Sequence, residues 1–339
     1  MDAFSIISLL GGLALFLYGM RLMGEGLEKL ASNRLEKILA RLTGRTSHAV
    51  ILGAAITAII QSSSATTVMV VGFVNSGIMS LRQAVGVIMG ANIGTTMTSW
   101  IFSMTGIQSE SFWVRMLKPS SFAPIVAMIG IILLMTAREN IKKTHAGSIC
   151  LGFGILMYGM ETMSKSMVPL AESDTFASIL MAVSNPIFGI VVGMIFTAVI
   201  QSSSASVGIL QALCLSGTVT FAAAIPIVLG QNIGTCATAL LSSVGASKNA
   251  KRASMIHLYF NLIGTIVFVG TFYTANMFFY FDFLYQAASP VSVAIIHSIF
   301  NIGCTVVLYP FANRVVTLAE KTIKDDYTHV TDLRAGMKV

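Results

Sequence analysis

"GAAITAIIQSSSAT", residues 53–66, puts a glutamine and three consecutive serines inside an apolar run that extends from Ala49 to Val74. The pattern returns as "GMIFTAVIQSSSAS" at residues 193–206, an offset of 140 residues. The same offset carries "GANIGT" at Gly90 onto "GQNIGT" at Gly230, "SG" at Ser76 onto Ser216, and "YGM" at Tyr18 onto Tyr158. A register held through polar Gln, Ser, Asn and Thr marks a tandem duplication rather than a chance likeness between two greasy segments. One copy is expected over residues 1–140 and the other over 141–275, followed by an additional membrane segment at 276–311 and a charged tail at 312–339.

The surrounding composition is that of a membrane protein. The chain is 55% apolar and 10% charged, against roughly 25% charged residues in soluble domains, and its mean hydropathy is +0.81. The net charge of +7 comes from Lys and Arg in short clusters between apolar runs, which argues for topology determinants and against a nucleic-acid-binding face. The first apolar run, residues 4–20, has no basic residue before it and no small-residue cleavage site after it, so it is expected to be a retained span. Cys150, Cys214, Cys236 and Cys304 have neither metal-ligand nor disulfide spacing.

Crossings of about 20 residues are expected at 4–23, 82–104, 120–137, 146–164, 222–245, 253–274 and 290–311, seven in all. If both QSSS segments enter and leave on one side, the basic clusters at Lys29 to Arg45, Arg138 to Lys143, Lys248 to Arg252 and the tail from Arg314 all fall in the cytoplasm of a cell-membrane protein. Each copy then contributes three crossings, so the second is inverted. The expected fold is all-α and polytopic, built from two inverted-topology repeats of the kind found in secondary transporters. Residues 24–45, with leucines at helical spacing, are expected to lie along the cytoplasmic interface.

Serines compete for backbone hydrogen bonds and favour helix starts, so each QSSS segment is expected to break a re-entrant helical hairpin. The half-helix that follows would aim unpaired N–H groups and a positive dipole end at its tip, beside three hydroxyls and an amide, which is an anion site. The N-I-G-T segments invite local unwinding into discontinuous helices whose freed oxygens suit a hard cation such as sodium. Competing readings stand beside these: serines as packing residues, and Gly90 to Gly94 and Gly230 to Gly234 as close-packing motifs. His257 and Asn261, and His297 and Asn301, are each four residues apart and share a helix face, where bonding between helices is the expected use. Glu161 is an intramembrane acid with Lys165 one turn away, a functional candidate or half of a structural pair.

Paired QSSS motifs, each followed about 30 residues later by NIGT, with "HLYFN" after the second, resemble the type II sodium-dependent phosphate cotransporter family over almost the whole chain. The resemblance implies sodium-coupled symport of inorganic phosphate by alternating access, with Na+ as the coupling ion. It implicates Gln61, Ser62, Ser63, Ser64, Gln201, Ser202, Ser203, Ser204, Asn92 and Asn232 in phosphate binding, and Ser64, Thr66, Thr95, Ser204, Ser206 and Thr235 in sodium binding. Implied partners are phosphate, sodium, the lipid bilayer and a second copy of the chain. The stretch after the first NIGT, "RMLKPSSFAPIVAMIGI", lacks the motif that vertebrate members carry there, and the chain stops at Val339 without the cytosolic helical domain of many bacterial relatives. Transport of another small oxyanion, or phosphate export, fits the same residues. An intramembrane serine hydrolase does not, because no G-x-S-x-G elbow is present and an enzyme needs one serine triplet rather than two.

Overall fold

The structure, a computed structural model, describes residues 3–42, 44–107, 111, 116, 118–171 and 174–325, and among these the regular structure is helical. The helices in chain order are α1 (Ala3–Leu42), α2 (Thr46–Ile60), α3 (Ser63–Asn75), α4 (Leu81–Ser103), α5 (Pro119–Thr136), α6 (Ile141–Ala171) and α7 (Asp174–Val183). They continue with α8 (Pro186–Ile200), α9 (Ser203–Cys214), α10 (Phe221–Gly234), α11 (Cys236–Ser242), α12 (Lys248–Phe279), α13 (Pro290–Leu308) and α14 (Ala312–Thr322). Among the described residues, six helical segments are long and apolar enough to cross a membrane: 4–31, 81–106, 119–136, 221–242, 248–279 and 290–322. The remaining expected crossing falls on α6, whose 31 residues cover about 46 Å, but whose polar run from Glu161 to Ser166 dilutes its hydropathy. The chain is an all-α polytopic membrane protein.

The duplication is visible as geometry. A Cβ on Gly12 would strike Gly159 O, and one on Gly19 would strike Gly152 O; the reciprocal substitutions at Gly152 and Gly159 strike Gly19 O and Gly12 O. Gly152 and Gly159 are the register equivalents of Gly12 and Gly19, so the same surface of each copy meets its twin. Ascending numbers in α1 meet descending numbers in α6, so the helices are antiparallel and the two-fold relating them lies perpendicular to both. A copy turned about such an axis is upside down relative to the other, which is the inverted repeat expected from charge placement.

Two local expectations are revised. Residues 24–42 continue α1, which runs unbroken for 40 residues, and its side chains from residue 32 onward lie outside those described. The charged tail begins as α14, which packs Val315, Val316 and Ala319 into the core, while residues 326–339 lie outside the described residues. The N-I-G-T segment of the first copy is not discontinuous, because α4 continues through Asn92 to Thr95. Asn92 Nδ2 bonds Ile88 O at 2.9 Å and Thr95 Oγ1 bonds Ala91 O at 3.0 Å, so these side chains cover carbonyls of the preceding turn instead of freeing them. In the second copy the interruption is confined to Thr235 between α10 and α11, whose backbone stays right-handed at φ −63° and ψ −21°. The glycines serve packing: a Cβ on Gly90 would collide with Val50 O, and one on Gly230 with Ile190 O, the same contact in both copies.

Candidate functional site

Each QSSS segment is a built helix break. Gln61 ends α2 in the left-handed region at φ 60°, ψ 25°, and Gln201 ends α8 at φ 59°, ψ 24°. A side chain in that region costs about 1–2 kcal/mol, so its recurrence in both copies requires compensation. Part of it is local: the Gln61 amide nitrogen donates to Ala58 O, and the backbone N–H of each glutamine bonds a threonine carbonyl, Thr57 or Thr197, at 2.7 Å. Ser62 and Ser202 then adopt extended backbone and cap the next helix, accepting from Ala65 N at 3.1 Å and Ala205 N at 3.2 Å.

The chain folds back at each break. Thr57 Oγ1 donates to Thr66 Oγ1 at 2.9 Å, and Thr197 Oγ1 donates to Ser206 Oγ at 2.7 Å. Nine residues of straight helix would hold such a pair about 13 Å apart along the axis, so the half-helices lie alongside one another as a hairpin. With 15 residues in α2, 13 in α3, 15 in α8 and 12 in α9, no half reaches the roughly 30 Å of a hydrocarbon core at 1.5 Å per residue.

The two tips meet. Ser63 Oγ and Ser203 Oγ are 3.4 Å apart, and Ser64 Oγ donates across to Gln201 O at 3.4 Å. After the caps on Ala65 and Ala205, the N–H groups of Ser63, Ser64, Ser203 and Ser204 have no acceptor within their own helices. Neither α3 nor α9 has an acid in its first turn to neutralise its positive end. The meeting point therefore gathers two uncompensated helix N-termini and several hydroxyls, a donor-rich and neutral environment suited to an oxyanion.

The other sequence-selected residues divide by position. Asn92, Thr95, Asn232 and Thr235 are buried in the helices that pack behind the hairpins, where Asn232 Nδ2 bonds Val228 O at 2.8 Å. Thr66 and Ser206 hold the hairpins shut. Glu161 pairs with Lys165 at 2.8 Å on an exposed face, a structural pair. Gln211 escaped the sequence reading. Two turns after Ser203 on α9 and fully buried, it donates to Ser99 O at 2.9 Å and Pro290 O at 2.8 Å, tying the second tip's helix to α4 and α13. Its signal was available, since it is a lone amide in an apolar run eight residues from a motif serine, on the same helix face. Thr238 was also missed; its hydroxyl donates to Gln201 O at 3.3 Å.

Comparison with known proteins settles the class. A model described as Na+/Pi-cotransporter matches residues 15–165 and again 155–289, once for each copy. The chain belongs to the Na+/Pi-cotransporter family. YqeW of Bacillus subtilis (strain 168) is 30% identical over 91% of this chain and 95% of its own length. The putative inorganic phosphate export protein YjbB of Escherichia coli (strain K12) is 23% identical over 97% of this chain, which spans only 58% of that relative. The human sodium-dependent phosphate transport protein 2B is 39% identical over 90 residues, 25% of this chain and 13% of its own. No solved structure matches significantly. As a Na+/Pi-cotransporter family member the chain is a multi-pass membrane transporter, and the family is one of transporters rather than enzymes.

Proposed function

We propose that this chain moves inorganic phosphate across the cell membrane in symport with sodium, by alternating access around the paired QSSS tips. The observation that carries the reading is the 3.4 Å approach of Ser63 Oγ to Ser203 Oγ where two capped helix N-termini converge. Phosphate takes the Ser62 to Ser64 and Ser202 to Ser204 hydroxyls and N–H groups, with Gln61 and Gln201 beside it; Asn92 and Asn232 back the tips. Sodium takes the oxygens of Ser64, Thr66, Thr95, Ser204, Ser206 and Thr235. The repeats at 1–140 and 141–275 rock against one another, the basic loops and tail face the cytoplasm, and two chains associate as a dimer. The test is radiolabelled phosphate uptake into proteoliposomes: uptake driven by an inward sodium gradient is expected, and uptake unchanged with choline in place of sodium removes the coupling.

Export is the second reading, favoured by relatives named as putative inorganic phosphate export proteins. Phosphate loss from loaded cells that depends on this chain, with no sodium-driven uptake, would assign that direction.

A further inference from the structure

We propose that a cavity at the foot of the first hairpin, separate from the QSSS tips, binds the phosphate headgroup of an anionic membrane lipid. The cavity holds about 610 Å³, within the roughly 300–1,000 Å³ of small-molecule sites. It lies where α3 ends and α4 begins, and its other walls are the start of α12 and one face of α14. Val74, on its wall, stands about 16 Å along α3 from Ser63. The elements around it are ends of the membrane-spanning segments 81–106, 248–279 and 290–322, which sets the cavity at the level of lipid headgroups.

The lining divides as a lipid does. Val74, Met79 and Leu81 supply apolar wall, while Arg82, Asn249 and Arg252 supply two guanidinium groups and an amide. Arg252 is only 7% exposed and is held in place on all sides. Its Nε donates to Ile323 O at 2.9 Å, Nη1 to Asn249 Oδ1 at 2.8 Å and Nη2 to Asp325 Oδ1 at 2.9 Å. Each terminal nitrogen keeps a second N–H, and a preorganised guanidinium fork matches the oxygens of a phosphate. Arg82 is exposed and, among the described residues, has neither a hydrogen bond nor an ion pair.

Charge selects the occupant. Residues 248–252 and 312–325, taken with Arg82, carry seven Lys and Arg against two acids, Glu320 and Asp325. Asp325 is spent on Arg252, and Glu320 is the one carboxylate among the lining residues. A basic pocket between the ends of membrane helices is the setting in which anionic headgroups bind. A small soluble anion would satisfy the arginines and leave the apolar wall bare; a lipid covers both. The headgroup would also bridge the α3–α4 turn of the first copy to α12 and α14, beside the bond that Ser247 N donates to Asn75 Oδ1 at 2.9 Å. Occupancy therefore ties the foot of the first hairpin to the rest of the bundle and raises stability.

The test reads Tm of the full chain in neutral detergent. It is titrated with phosphatidylglycerol, with phosphatidylcholine of the same chains and, in a Ser63→Ala/Ser203→Ala background that disables the tips, with inorganic phosphate. A saturable rise in Tm is expected with phosphatidylglycerol alone. Arg82→Ala is expected to raise the half-saturating concentration roughly tenfold or more, the effect of losing a hydrogen bond to a charged group, and Glu320→Gln to lower it. Lys321→Ala removes the same charge from α14 outside the cavity and should change it about twofold or less. Arg82 and Lys321 are both exposed, so neither change threatens the fold. No rise with phosphatidylglycerol, an equal rise with phosphatidylcholine, or equal losses in Arg82→Ala and Lys321→Ala would overturn the proposal. So would a rise with inorganic phosphate that Arg82→Ala abolishes, which would assign the cavity to the free ion. The readout needs no transport, so it can fail or succeed independently of the function proposed above.

Discussion

Ser63 Oγ and Ser203 Oγ, equivalent atoms of two copies 140 residues apart, lie 3.4 Å from each other at the start of α3 and α9. Atoms related by a two-fold can approach this closely only beside the axis, so the axis that inverts the copies passes through the meeting point of the tips. A ligand held there sees the same donors from either half.

Near-equivalence of Ser63→Ala and Ser203→Ala follows from that position. Each change removes one hydroxyl from the same place, and a hydrogen bond to a charged acceptor contributes about 1.5–3 kcal/mol, or roughly tenfold to hundredfold in phosphate KM. Uptake kinetics on both variants check it; a large effect in one and none in the other would place the ligand in a single copy.

A second prediction separates backbone from chemistry at the breaks. Gln201 sits at φ 59°, a conformation glycine adopts without penalty. Gln201→Gly is therefore expected to keep or slightly raise Tm while phosphate uptake falls, because the amide is lost and the break is not. A variant that lost Tm and activity together would make the glutamine a structural residue.

Glycines of similar appearance are expected to behave oppositely. A Cβ on Gly72 meets nothing within 4 Å, so Gly72→Ala should be neutral or gain up to about 1 kcal/mol from helix propensity. Gly90→Ala drives a methyl into the Val50 carbonyl, where neither backbone can yield locally, and overpacking costs about 1–3 kcal/mol or more. Thermal unfolding in detergent distinguishes the pair.

Much of this was legible in the sequence because a duplicated motif repeats its local physics: the glutamine followed by a capping serine that breaks the helix at Gln61 and Ser62 breaks it again at Gln201 and Ser202. The N-I-G-T segment of the first copy misled because Asn and Thr have two uses in an apolar helix. They can replace a backbone partner or cover the carbonyl four residues back, and Asn92 and Thr95 do the latter. The competing packing reading of the glycines held, since close approach depends only on the missing side chain. Gln211 joins segments 112 and 79 residues away, and no local window holds both ends of such a bond. The His257–Asn261 and His297–Asn301 pairs showed their spacing but not their bonding: each amide nitrogen donates to the histidine carbonyl of its own helix, at 3.0 Å and 2.8 Å, a choice decided by the fold.

The last prediction concerns the asymmetry that symmetry makes visible. Thr98 and Thr238 are equivalents, yet Thr238 Oγ1 bonds Gln201 O at 3.3 Å while Thr98 Oγ1 is buried without a partner. Gln201 is exposed and Gln61 half-buried. Two copies of one motif in different settings are what one end state of alternating access requires, with roles exchanged in the other. Under the alternating access proposed above, the opposite state is expected to give Thr98 the bond to Gln61 O and to take from Thr238 its own. Thr98→Val removes an unpaired hydroxyl here, worth about 1–3 kcal/mol, and a bond there, so it biases the protein toward this conformation; Thr238→Val biases it away. With Cys150→Ser as background and cysteine placed at residue 61 or 201, thiol labelling should favour 201 over 61 more strongly in Thr98→Val than in the parent, and less strongly in Thr238→Val. Shifts in the same direction for both variants would mean that the difference between the copies is fixed rather than exchanged.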